Sequence, residues 1–259
     1  MKNITVILPI HKWDEEHSYM FNNAFQSVEQ FYNDVKLLIV GPNNVLSNIN
    51  INETNLEYRF VENNDKTDFC SQLNFAIDNC DTEWFSILEI DDEYTKNWLS
   101  SMSTYMRENT DVSVFLSLVK DINTEGKFLS YTNESTWAYG FTDKQGFLDN
   151  QALLEYQNFQ ISGGLYKTSV VREYGKFKEN IKLTFGYEFL LRLTHNNIIV
   201  MTVPRVGYQH VNFRENSLFW SYKNSEEVKL SQDEVKFWLD TAKKEFFFKN
   251  IRDINYVEN

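Results

Sequence analysis

Glycine and proline are scarce in this chain of 259 residues, at nine and three respectively. A β-sandwich or small barrel needs more turn residues than that, so an all-β architecture is disfavoured. Cysteine is scarcer still. Cys70 and Cys80 fit no metal-ligand spacing and are expected to be reduced, buried thiols of an intracellular protein. Basic residues are outnumbered, 25 Lys and Arg against 37 Asp and Glu, which leaves a formal net charge of −12. Such a surface repels a phosphate backbone, so sequence-independent binding to nucleic acid is disfavoured. No window holds eighteen uninterrupted apolar residues, and Met1-Lys2-Asn3-Ile4 opens without the apolar stretch and small-residue cleavage site of a secretory signal. The expectation is a cytoplasmic protein with no membrane span.

What the chain does have is apolar bulk. Hydrophobic residues make up 42% and aromatics 16%, enough to fill a substantial core and to disfavour disorder. The most telling stretch is Trp84 to Tyr94 (WFSILEIDDEY), an apolar, β-prone run that passes into four acids within five positions. The run reads as a buried strand of a parallel sheet. Open α/β sheets bind ligands in the crevice beyond the carboxyl ends of their strands, which is where these acids fall. Glu89 and Asp91 are two apart, so continued extension would point both to one side. Two such carboxylates can share Mg2+ or Mn2+, hard ions that keep further coordination sites for phosphate oxygens and water. The alternative is a strand that ends in a solvated acidic turn.

The chain around this stretch alternates strands and helices. Ile4 to Ile10 reads as a buried strand closed by Pro9, and Met20, Ala24, Phe25, Val28 and Phe31 recur at helical spacing. Val35 to Val40 and Tyr58 to Val61 are predicted strands, and Phe69, Leu73, Ala76 and Ile77 mark a helix capped by Thr67 or Asp68. This order predicts a doubly wound sheet. Further on, Thr95 is expected to cap a helix carrying Trp98 and Met102. Val112 to Leu118 alternates as a strand, and Asn123 to Gly126 reads as a hairpin turn. Residues 132–158, irregular and aromatic with Trp137 and Tyr139, read as a long functional loop with a short helix around Leu153. Ile198 to Val203 and Val206 to Val211 read as two strands flanking Pro204, and Ser231 to Glu234 is a capping box opening an amphipathic helix. The expected organisation is one domain over 1–215, with a helical extension over 216–259 packed on it.

The order of these landmarks resembles the GT-A glycosyltransferases, and in particular the inverting family two, over roughly Ile4 to Arg214. Ile4-Thr5-Val6-Ile7-Leu8-Pro9-Ile10-His11 resembles the opening strand and nucleotide loop, and Asn74 falls where the family typically has an asparagine. Glu89-Ile90-Asp91 resembles the acid-x-acid motif, with Glu where Asp is usual. His210 resembles the histidine that completes the metal shell. The resemblance implies a GT-A fold, that is, a Rossmann-like, mostly parallel sheet flanked by helices. It implies transfer of a sugar from a nucleotide-sugar donor to a glycan or other hydroxyl acceptor, with Mn2+ or Mg2+ held by Glu89, Asp91 and His210. It also implies donor contacts at Pro9, His11, Asn74 and Asp91, with acceptor contacts at Gly163 and Gly164 of Ser162-Gly163-Gly164-Leu165, where missing side chains permit close approach.

There are departures from the family pattern. The turn after the second strand is Gly41-Pro42-Asn43-Asn44 instead of an acidic, serine-rich one, and Gly186 falls where the catalytic aspartate is usual. Glu188, two positions on, is the nearest acid and the expected base. Glu188 could equally pair with Arg192, its i+4 neighbour. His210 on its own reads as a structural histidine and Gly163-Gly164 as a tight turn. Trp137 reads either as a sugar-stacking acceptor residue or as core, and Asp92 as either a ligand or a turn acid. The alternative to a transferase is a non-catalytic relative that binds a nucleotide-sugar or carbohydrate.

Overall fold

The computed structural model describes residues 2–134, 146–215, 217–226, 228–244 and 246. In chain order the elements are β1 (Ile4–Pro9), α1 (Glu15–Glu29), β2 (Val35–Gly41), α2 (Asn43–Leu46), β3 (Glu57–Glu62), α3 (Phe69–Asp78), β4 (Trp84–Ile87), β5 (Glu93–Tyr94) and α4 (Trp98–Glu108). The chain continues through β6 (Val114–Ile122), β7 (Phe128–Thr132), β8 (Phe147–Leu148), α5 (Asn150–Glu155), β9 (Leu165–Lys167), α6 (Thr168–Glu173), α7 (Phe185–His195), β10 (Val200–Val211), α8 (Leu218–Asn224) and α9 (Gln232–Lys243).

The sheet runs β3-β2-β1-β4-β9-β6-β10-β5. Its first four strands are parallel, and β9 is inserted antiparallel between β4 and β6, so the sheet is mixed. Alternation along the central strands explains the two layers. Val6, Leu8 and Ile10, with Leu37 and Ile39, face a core built with α1 and α4. Ile7, Leu38 and Val40 face the opposite core, built with α3, α6 and α7. Both faces are buried, which is why these strands read as continuous apolar runs rather than alternating ones.

Several local signals find their partners. Asp68 accepts from Ser71 N as the N-cap of α3 at 3.0 Å, and Ser231 and Glu234 form the capping box of α9. Thr95 does not cap α4. Its hydroxyl donates to the Val206 carbonyl at 2.8 Å, and Asn97 takes the cap position. The two strands expected around Pro204 are one strand, β10, whose pairing with β6 shifts register between Val203 and Tyr208. A proline offers no N–H to the ladder, and the irregularity absorbs that loss. Cys70 and Cys80 are buried free thiols, and burial pushes Cys70 up to about 12. Helix α9 packs on α7, where Trp238 accepts a hydrogen bond from Thr184 through its carbonyl and Ala242 is fully buried. No described helix is long and apolar enough to cross a membrane.

Candidate active site at the carboxyl ends of the strands

From β1 the chain passes to β2 on one side and, later, to β4 on the other, which makes the gap between the ends of β1 and β4 the switch point of the sheet. Pro9 and His11 leave β1 there, and Glu89 leaves β4. Leu88 N still donates to Ile7 O at 2.9 Å, so the first residue past β4 remains tied to β1.

The strand then stops, and this corrects the expected geometry. Ile90 and Asp91 form a turn closed by Asp92 N donating to Glu89 O at 3.2 Å. Alternation by twos applies only to extended chain, so Glu89 and Asp91 do not converge. Glu89, Asp92 and His210 do, with one ligand-capable atom from each within 4.8 Å of the others. Asp91 is directed instead to Arg214, whose Nε donates to its Oδ2 at 2.6 Å.

Each member of this cluster is fixed. Ser162 Oγ donates to Glu89 Oε1 at 2.6 Å, and Glu89 N donates to the Tyr208 hydroxyl at 3.0 Å. Asp92 is fully buried. It accepts from Val211 N at 2.9 Å and lies 2.9 Å from His210 Nδ1. Burial, then repulsion from Asp92, pushes Glu89 up to about 7, and burial also raises Asp92. Burial pulls His210 down, but the charge and hydrogen bond of Asp92, with help from Glu89 and Asp91, carry it up to about 10. The imidazolium is therefore the internal counter-ion of two crowded carboxylates. Two carboxylates and an imidazole form a donor set suited to Mn2+, and Mg2+ would use the oxygens. A divalent ion would relieve the same repulsion by displacing protons. On donor chemistry and charge, the residues fit such an ion.

The other expected site residues fall as follows. Pro9 ends β1, buried against Val40 of β2. His11 stands exposed at the rim, its pKa lowered by local desolvation and then by Lys12, His17 and Arg214. Asn74 is a structural clamp rather than a free donor contact. Its Nδ2 donates to Phe177 O at 2.8 Å and its Oδ1 accepts from Phe177 N at 2.9 Å, tying α3 to the segment after α6. Gly163 and Gly164 do not open toward an acceptor. A Cβ on Gly163 (φ 74°) would lie 2.5 Å from the Tyr208 side chain, and one on Gly164 would lie 2.7 Å from the Tyr166 hydroxyl. The Gly163 carbonyl accepts from Trp98 Nε1 at 2.9 Å. The missing side chains make room for internal aromatics. Trp137 lies outside the described residues.

Glu188 is also corrected. It is 1% exposed and holds Arg192 bidentately, with Nε to Oε1 at 3.0 Å and Nη2 to Oε2 at 3.1 Å, while Lys178 Nζ lies 2.9 Å from Oε1. Arg192 in turn donates to the carbonyls of Tyr174, Gly175 and Lys176. This carboxylate anchors the end of α6, so it is spent on structure and not poised as a base. Of the two readings open for Asp92, ligand or turn acid, the structure places it in the cluster. Ser162 stands in the Ser162-Gly163-Gly164-Leu165 stretch with no role of its own expected, and nothing in the sequence marks Tyr208 or Arg214 for the site. A separate open cleft of about 580 Å3, lined by Lys66, Asp68, Phe177, Glu179 and Asn180, shares no residue with the acidic cluster.

Comparison with known proteins agrees with this architecture. The model of glycosyl transferase family 2 matches residues 45–174, half of the chain and the part that carries β4 and the acidic turn. The chain belongs to glycosyl transferase family 2 and is a glycosyltransferase with a GT-A type fold. Among solved structures it is similar to S. aureus TarS 1-349 in complex with UDP-GlcNAc, with a TM-score of 0.60 at 13% identity over 98% of this chain and 73% of that one. It is also similar to the mannosyltransferase PcManGT from Pyrobaculum calidifontis in complex with GDP-Man and Mn2+, with a TM-score of 0.56 at 11% identity over 94% of this chain and 69% of that one. No curated protein matches the chain by sequence.

Proposed function

We propose that this glycosyltransferase is a metal-dependent, inverting enzyme that moves a sugar from a nucleotide-sugar to an acceptor hydroxyl. The observation that carries the reading is the convergence of Glu89, Asp92 and His210 at the switch point of a family 2 fold. These three side chains would hold Mn2+ or Mg2+. The ion's contribution when bound is positive charge beside the diphosphate leaving group, which gains negative charge as the glycosidic bond to phosphate breaks.

Three groups of the chain keep this ligand set in place. Ser162 and Tyr208 hold Glu89 in place, and Val211 N does the same for Asp92. A fixed ligand set avoids reorganisation as charge develops. The nucleotide-sugar class is supported by the family and by the UDP-GlcNAc and GDP-Man bound to the two similar proteins.

The test is hydrolysis or transfer from UDP-GlcNAc and GDP-mannose with and without Mn2+. Turnover is expected with the ion and is expected to vanish in EDTA and in Asp92→Asn. Mn2+ affinity should fall more than about tenfold in Asp92→Asn and far less in Asp91→Asn. Turnover that survives EDTA would overturn the assignment of the cluster. A non-catalytic, donor-binding relative is the second reading, favoured by Gly186 and by the structural use of Glu188. Calorimetric donor binding with no turnover against a broad acceptor panel would support that reading.

A further inference from the structure

Three aromatic rings that take no part in the acidic cluster stand around the carboxyl end of β6. Phe128 on β7 is 53% exposed, Tyr131 on the same strand 39%, and Phe213, just past β10, 60%. A single exposed aromatic is ordinary, but these come from distant segments to one end of the sheet. Ile122, the last residue of β6, pairs with Phe128 on one side and with Val211 on the other, and its carbonyl accepts from Asn212 N at 2.7 Å. Phe128 and Val211 are thus two interstrand spacings apart, about 10 Å. His210 of the acidic cluster directly precedes Val211, so the rings border that cluster.

Two local distortions place the rings. Residues three apart on a regular strand point to opposite faces, yet the bulge between Asp121 and Ile122 brings Phe128 and Tyr131 together, with ring centroids 4.9 Å apart. Phe213 holds a left-handed backbone at φ 63°, which a bulky side chain disfavours, and Asn212 Oδ1 accepts from its N at 2.9 Å. Bulges and strained residues gather at functional sites. The charged groups among the rings are already paired. Asp121 accepts from Ser130 and Thr132, Lys120 reaches Gln209, and Lys127 pairs with Glu125. In a chain of net charge −12, residues 114–132 are neutral, with two lysines against one Asp and one Glu.

We propose that Phe128, Tyr131 and Phe213 form the stacking platform for the acceptor, a neutral oligosaccharide whose terminal hydroxyl is led toward Glu89, Asp92 and His210. The C–H face of a sugar ring packs on an aromatic plane, and Phe and Tyr offer that plane at low entropic cost because they have only two side-chain torsions. Planes spread from β7 to the turn after β10 favour several sugars over one. A polyanionic acceptor would call for free cations, and both lysines of the β6–β7 hairpin are taken. This inference rests on the nucleotide-sugar reading above and names the acceptor class.

Titration calorimetry of the full chain tests it with chitohexaose, mannohexaose and cellohexaose, their three monosaccharides, and hexagalacturonate as the polyanion. At least one neutral hexasaccharide should bind about tenfold or more tightly than its monosaccharide and than hexagalacturonate. Phe128→Ala and Phe213→Gly should each weaken that binding about tenfold, whereas Tyr131→Phe, which keeps the ring, should stay within about threefold. Glycine suits the left-handed position, so Phe213→Gly should melt no lower than wild type, which separates the loss of a stacking ring from a loss of fold. Phe237→Ala, at an exposed phenylalanine on α9, is the control and should bind as wild type does. Should Phe128→Ala fail to fold, Phe213→Gly decides, and hexasaccharide affinity within about twofold of wild type there overturns the proposal. Tighter binding of hexagalacturonate, or an equal loss in Phe237→Ala, also overturns it. If wild type binds UDP or GDP with Mn2+ but no neutral hexasaccharide, this inference alone falls. If it binds neither nucleotides nor sugars, the nucleotide-sugar reading falls with it.

Discussion

Replacing Glu188 with glutamine separates a structural carboxylate from a catalytic one. The side chain is 1% exposed and holds Arg192 through two hydrogen bonds and Lys178 through an ion pair at 2.9 Å. Glutamine keeps the volume but removes the charge, and one of its two terminal atoms becomes a donor that faces donors. Breaking a buried pair by neutralising one partner typically costs 3–5 kcal/mol. The low end applies here, because Arg192 keeps the carbonyls of Tyr174 and Lys176 and Lys178 is 33% exposed. A loss of roughly 3 kcal/mol in a chain of this size corresponds to a fall in Tm of about 6–12 °C. Thermal unfolding followed by circular dichroism measures that fall, and donor turnover below the transition measures activity on the folded fraction. The expected result is a clear loss of stability with turnover reduced less than about tenfold. Unchanged Tm with turnover down by more than about a thousandfold would refute the reasoning and return Glu188 to the role of base.

Two further expectations follow from the same geometry. Both Glu89, raised to about 7, and His210, raised to about 10, bind protons more tightly in the folded chain than in the unfolded one. These two groups therefore lose stabilisation as pH rises, first through the window from 4.5 to about 7 for Glu89 and then from 6.5 to about 10 for His210, while His11, whose pKa is lowered, contributes in the opposite sense only below its ordinary 6.5. In EDTA, Tm should be higher at pH 6 than at pH 8.5, and Mn2+ should narrow the gap while releasing protons, as read by calorimetry in buffers of different ionisation enthalpy; a Tm that rises with pH in EDTA contradicts the assignment. Gly163→Ala combines a left-handed backbone with a Cβ placed 2.5 Å from Tyr208, so a loss of roughly 2–5 kcal/mol is expected in a chemical denaturation curve, and an unshifted midpoint would mean that Tyr208 is not held where the structure puts it.

The local order of the chain was legible from residue pattern alone. Unbroken apolar runs at Ile4–Pro9 and Val35–Gly41 marked strands buried on both faces, and helical spacing marked α1 and α3, because periodicity is a property of neighbouring residues. The acidic run after Trp84 marked the candidate site, since a cluster of acids is likewise a property of neighbouring residues. Which acids meet was not legible. A turn at Ile90 and Asp91, where extended chain would have kept Glu89 and Asp91 on one side, exchanges Asp91 for Asp92 in the cluster.

The partners that give these residues their roles come from far along the chain. His210 meets Asp92 across 118 positions, Arg214 meets Asp91 across 123, and Ser162 meets Glu89 across 73. Asn74 is likewise spent on Phe177, 103 positions away, and Gly163 yields its space to Tyr208. Sequence by itself determined the fold class and the end of the strand where chemistry would sit, since burial and periodicity are written locally. Only the tertiary structure decided which carboxylate faces the imidazole, which faces a guanidinium and which is consumed in the scaffold, because charge pairing depends on distances that the folded sheet alone sets.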